Sequence, residues 1–230
     1  GQGGLLDVVL SPDFARDRLV YLSYAEAAAS GDLAGTAVGR ARLSADMRSL
    51  QAFQVIFRQQ PKLSSGIHFG SRLVFDRRGL LFITLGENNQ RATAQDLDKL
   101  QGKLVRIQAD GRVPADNAFV ERAGARAEIW SYGHRNPQGM VMDTSGQLWA
   151  HEHGPQGGDE LNLVQAGKNY GWPSITYGEN YGGGKIGEGA KARDGMEQPV
   201  VQWTPSIAPS GMAQLTSTAY GEAWKDSYFV

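Results

Sequence analysis

Leu73-Val74-Phe75-Asp76-Arg77-Arg78-Gly79-Leu80-Leu81-Phe82-Ile83-Thr84 decides the fold. It reads as a strand, a turn and a strand, two apolar runs separated by turn residues. Met140-Val141-Met142, Asp143-Thr144-Ser145-Gly146 and Gln147-Leu148-Trp149-Ala150 repeat it, and both Asp76 to Asp143 and Gly79 to Gly146 are 67 positions. A looser copy runs from Val8-Val9-Leu10 through Ser11-Pro12-Asp13 to Leu19-Val20-Tyr21-Leu22. A second hairpin follows each copy: Gly39 to Leu43 before Ala45-Asp46, Gly102 to Ile107 before Ala109-Asp110-Gly111, and Glu160 to Val164 before Ala166-Gly167.

Each repeat is therefore four antiparallel strands. One such sheet leaves its faces poorly covered, so successive sheets must stack, and radial stacking gives a β-propeller with blades of about 40 to 50 residues. The longer period here means that loops carry insertions, where propellers build their sites. About three and a half periods, or about four blades, fit in the chain, too few to close a ring. The expectation is an all-β chain, residues 1–230, forming one propeller domain incomplete at both ends. A β-sandwich also uses many short strands but predicts no long-range repeat. Helix is expected only at Ala94 to Gln101.

Composition narrows the function. The 230 residues carry 23 basic and 24 acidic side chains, a net charge of −1, which argues against a nucleic-acid domain. No apolar run reaches the roughly 18 residues of a membrane span. With no Cys there is no disulfide, thiolate nucleophile or Cys-ligated metal. Glycine, 30 of 230 residues, is nearly twice its usual share and reads as many tight turns. The opening Gly1-Gln2-Gly3-Gly4 has no leader, and Ser227-Tyr228-Phe229-Val230 reads as a strand cut short, so the chain reads as a piece of a longer protein.

Three stretches exceed what turns require. Gly66-Ile67-His68-Phe69-Gly70 places a His just before a strand, and Tyr132-Gly133-His134-Arg135-Asn136-Pro137-Gln138-Gly139 packs four hydrogen-bonding side chains between glycines and a Pro. The third is His151-Glu152-His153-Gly154-Pro155-Gln156-Gly157-Gly158-Asp159-Glu160. Each adjoins the first hairpin of a blade, so all three should converge near the propeller axis. His68 is a candidate general base, or a His that satisfies a loop carbonyl. Arg135 and Asn136 can clamp a planar, oxygen-rich ligand, or Arg135 can pair with a blade carboxylate. His151 and His153 have the wrong spacing for a helical zinc pair. Calcium suits the carbonyls of Gly154 and Pro155 and the Asp159-Glu160 carboxylates better, although turn carboxylates are usually just solvated. Asn169-Tyr170-Gly171-Trp172-Pro173, with Tyr177, Tyr181 and Trp203, could line a sugar or flat-ligand pocket or simply fill blade cores. Gly182-Gly183-Gly184 lacks the signature of a nucleotide loop.

These stretches together resemble the soluble quinoprotein sugar dehydrogenases, the glucose/sorbosone (aldose sugar) dehydrogenase family that uses pyrroloquinoline quinone (PQQ). The matches run in family order from Gly1-Gln2-Gly3-Gly4-Leu5-Leu6 through the His68 loop, Gly133 to Gly139, Glu152-His153-Gly154-Pro155 and Asn169 to Pro173, to Pro205-Ser206-Ile207-Ala208-Pro209-Ser210. The resemblance implies a six-bladed propeller with PQQ over its axis, exported to the periplasm or secreted. It implies that His68 takes the proton from the sugar C1 hydroxyl while hydride passes to C5 of the quinone, leaving the lactone. Glu87 resembles the acid that orients His68. Arg135 and Asn136 resemble the PQQ clamp, Arg135 also stabilising charge on the quinone oxygen. Gly154 and Pro155 resemble carbonyl ligands of the calcium that polarises PQQ, and Glu160 and Tyr170 carbonyl ligands of a structural calcium. Gln2 and Tyr181 resemble cofactor-pocket positions and Trp203 a substrate-side aromatic. Ile67 stands where glucose-specific members carry an acid, which implies a broader aldose range. The implied partners are an aldose and an artificial or respiratory electron acceptor, for a monomer or homodimer. Two other readings stay open: a non-catalytic propeller binding module, and a calcium-dependent propeller hydrolase.

Overall fold

The 67-residue repeat recurs atom by atom in the turns of the structure, a computed structural model describing residues 1–230. Asp76 Oδ1 accepts the backbone N–H groups of Arg78 and Leu80, each at 2.8 Å. Asp143 Oδ1 does the same for Ser145 at 2.9 Å and Gln147 at 2.8 Å. Gly79 and Gly146 close these turns at φ +76° and +86°, a conformation glycine adopts without strain.

Around these turns the chain builds three four-stranded antiparallel sheets in sequential order. The first holds β1 (Leu5–Leu10), β2 (Leu19–Ala27), β3 (Ala34–Leu43) and β4 (Leu50–Arg58). In the second are β5 (Gly70–Phe75), β6 (Leu80–Leu85), β7 (Lys103–Gln108) and β8 (Ile129–Tyr132), and in the third β9 (Pro137–Met142), β10 (Leu148–Glu152), β11 (Asp159–Val164) and β12 (Val201–Trp203). A two-stranded sheet follows, β13 (Ala213–Gln214) with β14 (Tyr228–Phe229). The expected count of about four blades thus resolves into three complete blades and one hairpin.

The first strands β1, β5, β9 and β13 neighbour one another in series, as inner strands of a propeller do. Between sheets, side chains alternate by the period of a strand. Leu81, Ile83, Leu85, Val105 and Ile107 pack toward Tyr21, Val38 and Phe57 of the first sheet. Phe82 and Leu104 point the other way, toward Met140, Leu148, Ala150 and Val164 of the third. The middle blade is buried on both faces, which is why Leu80–Ile83 is an unbroken apolar run. Asp143 also ties in the last hairpin, its Oδ2 accepting from Tyr228 Oη at 2.7 Å and Trp149 Nε1 at 3.0 Å.

The helix expected at 94–101 does not form. A 3-10 turn covers Arg91–Gln95, and the only α-helical turn is α1 (Phe14–Asp17). The carbonyls that would propagate a helix are taken elsewhere: Lys103 Nζ donates to those of Thr93 and Ala94 at 2.9 and 3.0 Å, and Gly133 N–H also donates to Ala94 at 3.0 Å. Tertiary hydrogen bonds here outcompete local propensity. No helix is long and apolar enough to cross a membrane.

Candidate active site

His68 stands two residues before Gly70, the first residue of β5, with φ +56°, a left-handed conformation that few residues other than glycine adopt. Asn88 secures it, its backbone N–H and Nδ2 donating to the His68 carbonyl at 3.3 and 3.1 Å. Gly86 permits this approach, since a Cβ there would lie 1.9 Å from the same oxygen. The buried ring meets the buried Glu87 carboxylate, Nδ1 to Oε1, at 2.5 Å. A carboxylate on Nδ1 fixes the proton there, and Nε2, which has no protein partner, is left as a bare acceptor. Gln2 Oε1 accepts the His68 backbone N–H at 2.9 Å.

The second stretch is bonded directly to this pair. Glu87 N–H donates to the Arg135 carbonyl at 2.9 Å, and Asn136 Oδ1 accepts from Gly70 N–H at 3.1 Å and Gln138 Nε2 at 2.9 Å. The Asn136 oxygen is therefore committed to holding two loops together, while its Nδ2 has no protein acceptor. Arg135 is buried and its Nη1 reaches the carbonyls of His153 at 3.1 Å and Gly154 at 2.7 Å. Beneath it, Glu152 accepts the Arg135 backbone N–H at 2.5 Å with one oxygen and meets His134 Nδ1 at 2.8 Å with the other. The His134 ring stacks on Tyr170 at 4.7 Å between centroids. The guanidiniums of Arg135 and Arg91 each lie 5.5 Å from the Trp172 ring.

The third stretch closes a narrow cleft lined by Arg135, Glu152, Gly154, Glu160, Tyr170 and Trp172. Asp159, one of the carboxylates weighed for calcium, is fully committed instead. It accepts from Gly154 N–H at 2.9 Å, Ser206 Oγ at 2.6 Å, and the N–H groups of Ile207 and Ala208 at 2.9 Å each. Glu160 differs: desolvation and the nearby Glu152 push its carboxyl well above the usual range, and its one protein donor is Asn162 Nδ2 at 3.3 Å. The Tyr170 phenol, itself pushed up by burial, donates to the Leu163 carbonyl at 2.7 Å and accepts from Gln165 N–H at 2.9 Å, leaving only the Tyr170 carbonyl for a ligand. A desolvated carboxyl with no ion pair, in one cleft with a spare carbonyl, offers hard oxygen donors of the kind calcium takes. At the other expected position the Pro155 carbonyl accepts no protein hydrogen bond, and the Gly154 carbonyl keeps a lone pair beyond Arg135. No group of three or more His, Asp or Glu side chains could hold a metal by itself. His151 and His153 donate to the carbonyls of Gly211 and Pro209 at 3.1 and 2.7 Å.

The three stretches thus converge, joining Gln2, His68, Glu87, Arg135, Asn136 and Gly154 in one hydrogen-bonded network with Glu160 and Tyr170 in the adjoining cleft. Bare donors on Arg135 and Asn136 beside an unpartnered His68 Nε2 suit a flat, acidic, oxygen-rich ligand such as PQQ. Tyr181, 72% exposed, and Trp203, part-exposed at the end of β12, make no side-chain hydrogen bond with that network, although the Trp203 carbonyl accepts from Gly158 N–H at its edge at 2.8 Å. Sequence reasoning passed over Asn88, Arg91 and Lys103. Only their positions around the Glu87 loop reveal them, and no motif marks them.

The model of the Glucose / Sorbosone dehydrogenase family matches residues 1–230. Aldose sugar dehydrogenase YliI of Escherichia coli (strain K12) is 60% identical over 233 residues, covering 100% of this chain and 62% of that protein. The crystal structure of the soluble aldose sugar dehydrogenase from Escherichia coli in the apo-form superposes with a TM-score of 0.96 at 59% identity, over 100% of this chain and 66% of that one. The PQQ-bound aldose sugar dehydrogenase of Streptomyces coelicolor gives a TM-score of 0.75 at 34% identity, over 94% of this chain and 58% of that one. The chain therefore spans a little under two thirds of the length of these relatives, and over all of its own length it belongs to the glucose/sorbosone dehydrogenase family.

Proposed function

We propose that the whole protein is a PQQ-dependent aldose dehydrogenase that oxidises the sugar at C1 to the lactone, and that this chain supplies its base and part of its cofactor clamp. The observation that carries the reading is the buried His68–Glu87 pair at 2.5 Å, with Nε2 unpartnered beside Arg135 and Asn136. His68 Nε2 takes the C1 hydroxyl proton, and Glu87 holds the ring so that Nε2 faces it unprotonated. PQQ, when bound, supplies the hydride acceptor. Arg135 and the Asn136 Nδ2 hold and polarise its oxygens. The carbonyls of Gly154 and Pro155 would hold a calcium ion at the cofactor, and the carbonyls of Glu160 and Tyr170 a second, structural one. Tyr181 and Trp203 complete the cofactor and sugar sides. Residues 1–230 belong to a single propeller domain of six blades, in an exported protein. Ile67, an apolar neighbour to the base, suits a broad range of aldoses.

The test is to add PQQ and calcium to the full-length apoprotein and follow dye reduction with glucose and other aldoses. Sugar-dependent reduction that requires both additions supports the reading. A protein that takes up PQQ but reduces no dye with any aldose, or takes up none, overturns it in favour of a binding module.

A further inference from the structure

Two cations share one aromatic ring at this site, and neither has a counter-ion. Arg91 opens the 3-10 turn four residues after Glu87, and Gln90 N–H anchors that turn to the Glu87 carbonyl at 2.9 Å. Its guanidinium lies 5.5 Å from the Trp172 ring, as does that of Arg135. No carboxylate forms an ion pair with either. Arg91 donates only to Asn180 Oδ1, at 2.8 Å, and the Arg135 guanidinium only to backbone carbonyls. Glu152 is spent on the Arg135 backbone N–H and the His134 ring. Trp172 is 5% exposed and its indole N–H is buried without an acceptor. Asn180 is itself held in place by donating to the Lys185 carbonyl at 2.8 Å, so Arg91 is aimed by a fixed partner.

For both guanidiniums the ring's modest cation–π attraction stands where a counter-ion would. A carboxylate within reach of both would give each guanidinium the charge-assisted acceptor it lacks. We propose that Arg91, with Arg135 and Trp172, forms a carboxylate-binding subsite on the rim of the candidate active site. This rests on the dehydrogenase reading for the identity of the ligand. The carboxylate belongs either to the quinone cofactor, which carries three, or to an acidic sugar such as a uronate.

The experiment uses the full-length protein and its Arg91→Gln and Arg91→Lys variants. PQQ binding is titrated by tryptophan quenching and calorimetry, and D-glucuronate is compared with glucose as substrate. If the carboxylate is the cofactor's, Arg91→Gln weakens PQQ binding about 10- to 100-fold. Arg91→Lys, which keeps the charge but loses the fork, then weakens it less. If it is the sugar's, PQQ affinity holds while the glucuronate-to-glucose ratio of kcat/KM falls about tenfold or more. An Arg91→Gln protein with wild-type melting, PQQ affinity and sugar ratio overturns the subsite. Should that variant not fold, Arg91→Lys matching wild type in both readouts overturns it too. A wild-type protein that binds PQQ through Arg91 without oxidising any sugar sinks the dehydrogenase reading and leaves the subsite standing. One that binds neither PQQ nor glucuronate in calorimetry sinks the subsite.

Discussion

Glu87 Oε1 lies 2.5 Å from His68 Nδ1, and both side chains are buried at the mouth of one blade. The second Glu87 oxygen has no partner, so the carboxylate's one directional contact is with the imidazole. That contact decides which ring nitrogen is free. Glu87→Gln can present an amide N–H to Nδ1 and so move the ring proton to Nε2. Turnover of the full-length protein should then fall about 10²- to 10⁴-fold with the sugar KM little changed. His68→Ala should abolish turnover and leave PQQ titration intact. Undiminished kcat in either variant would remove the pair from the chemistry.

Gly86 is the second support of the base. A Cβ at this position would fall 1.9 Å from the His68 carbonyl oxygen and 2.4 Å from its carbon, both backbone atoms that cannot swing aside. Gly86→Ala should therefore destabilise by about 1–3 kcal/mol and displace His68, lowering activity as well as melting temperature. Gly79→Ala is the control. At φ +76° it is strained but has nothing within 4 Å, so it should lower stability modestly and leave turnover alone. Equal loss of activity in both would show that Gly86 has no specific role at the base.

The blades were legible because their signal is local and repeated. The Asp76 and Asp143 turns bond identically, and a 67-residue spacing survives translation into three dimensions. The convergence of the His68, Arg135 and Gly154 loops followed from their placement next to those hairpins. What stayed hidden depends on long-range bonds without composition. Nothing in Gly66 to Gly70 announces a left-handed His68, because Asn88 and Gly86 impose it from another loop. Asp159 and Glu160 are adjacent acids on one strand, yet one is saturated by four donors and the other faces a cleft. The 3-10 turn at Arg91–Gln95 replaced the expected helix because a buried lysine claimed its carbonyls.

Asp159 joins the Gly154 turn to the segment at residues 206–208, accepting one N–H from the former and three donors from the latter. Asp159→Ala strands the buried Gly154 N–H and unties the exposed segment at 206–208, and should cost about 1–3 kcal/mol in urea unfolding of the full-length protein. Asp159→Asn keeps one acceptor oxygen but turns an NH₂ toward donors, and should recover only part of the loss. A midpoint equal to wild type for Asp159→Ala would show that the segment is held by other contacts.

Lys103 gives the fold a pH dependence of its own. It is fully buried, with Nζ donating to the carbonyls of Thr93, Ala94 and Gln101 at 2.9, 3.0 and 2.7 Å and no carboxylate in contact. Burial pulls the ammonium down from 10.5 to about 7, against the weaker upward pull of Asp96 and Asp98. Between those two values the unfolded chain holds a proton that the folded chain has released. Stability therefore rises with pH across that window, by at most about 1.4 kcal/mol per unit, and the burial cost is felt in full below it. Lys103→Met removes the proton from both states, so melting temperature should lose this upward slope between pH 7 and 10. The variant should also be less stable at high pH, where the wild-type amine is neutral and its two N–H groups still donate to two of the three carbonyls. A wild-type profile as flat as that of Lys103→Met would mean that the three carbonyls hold the lysine charged throughout the folded state.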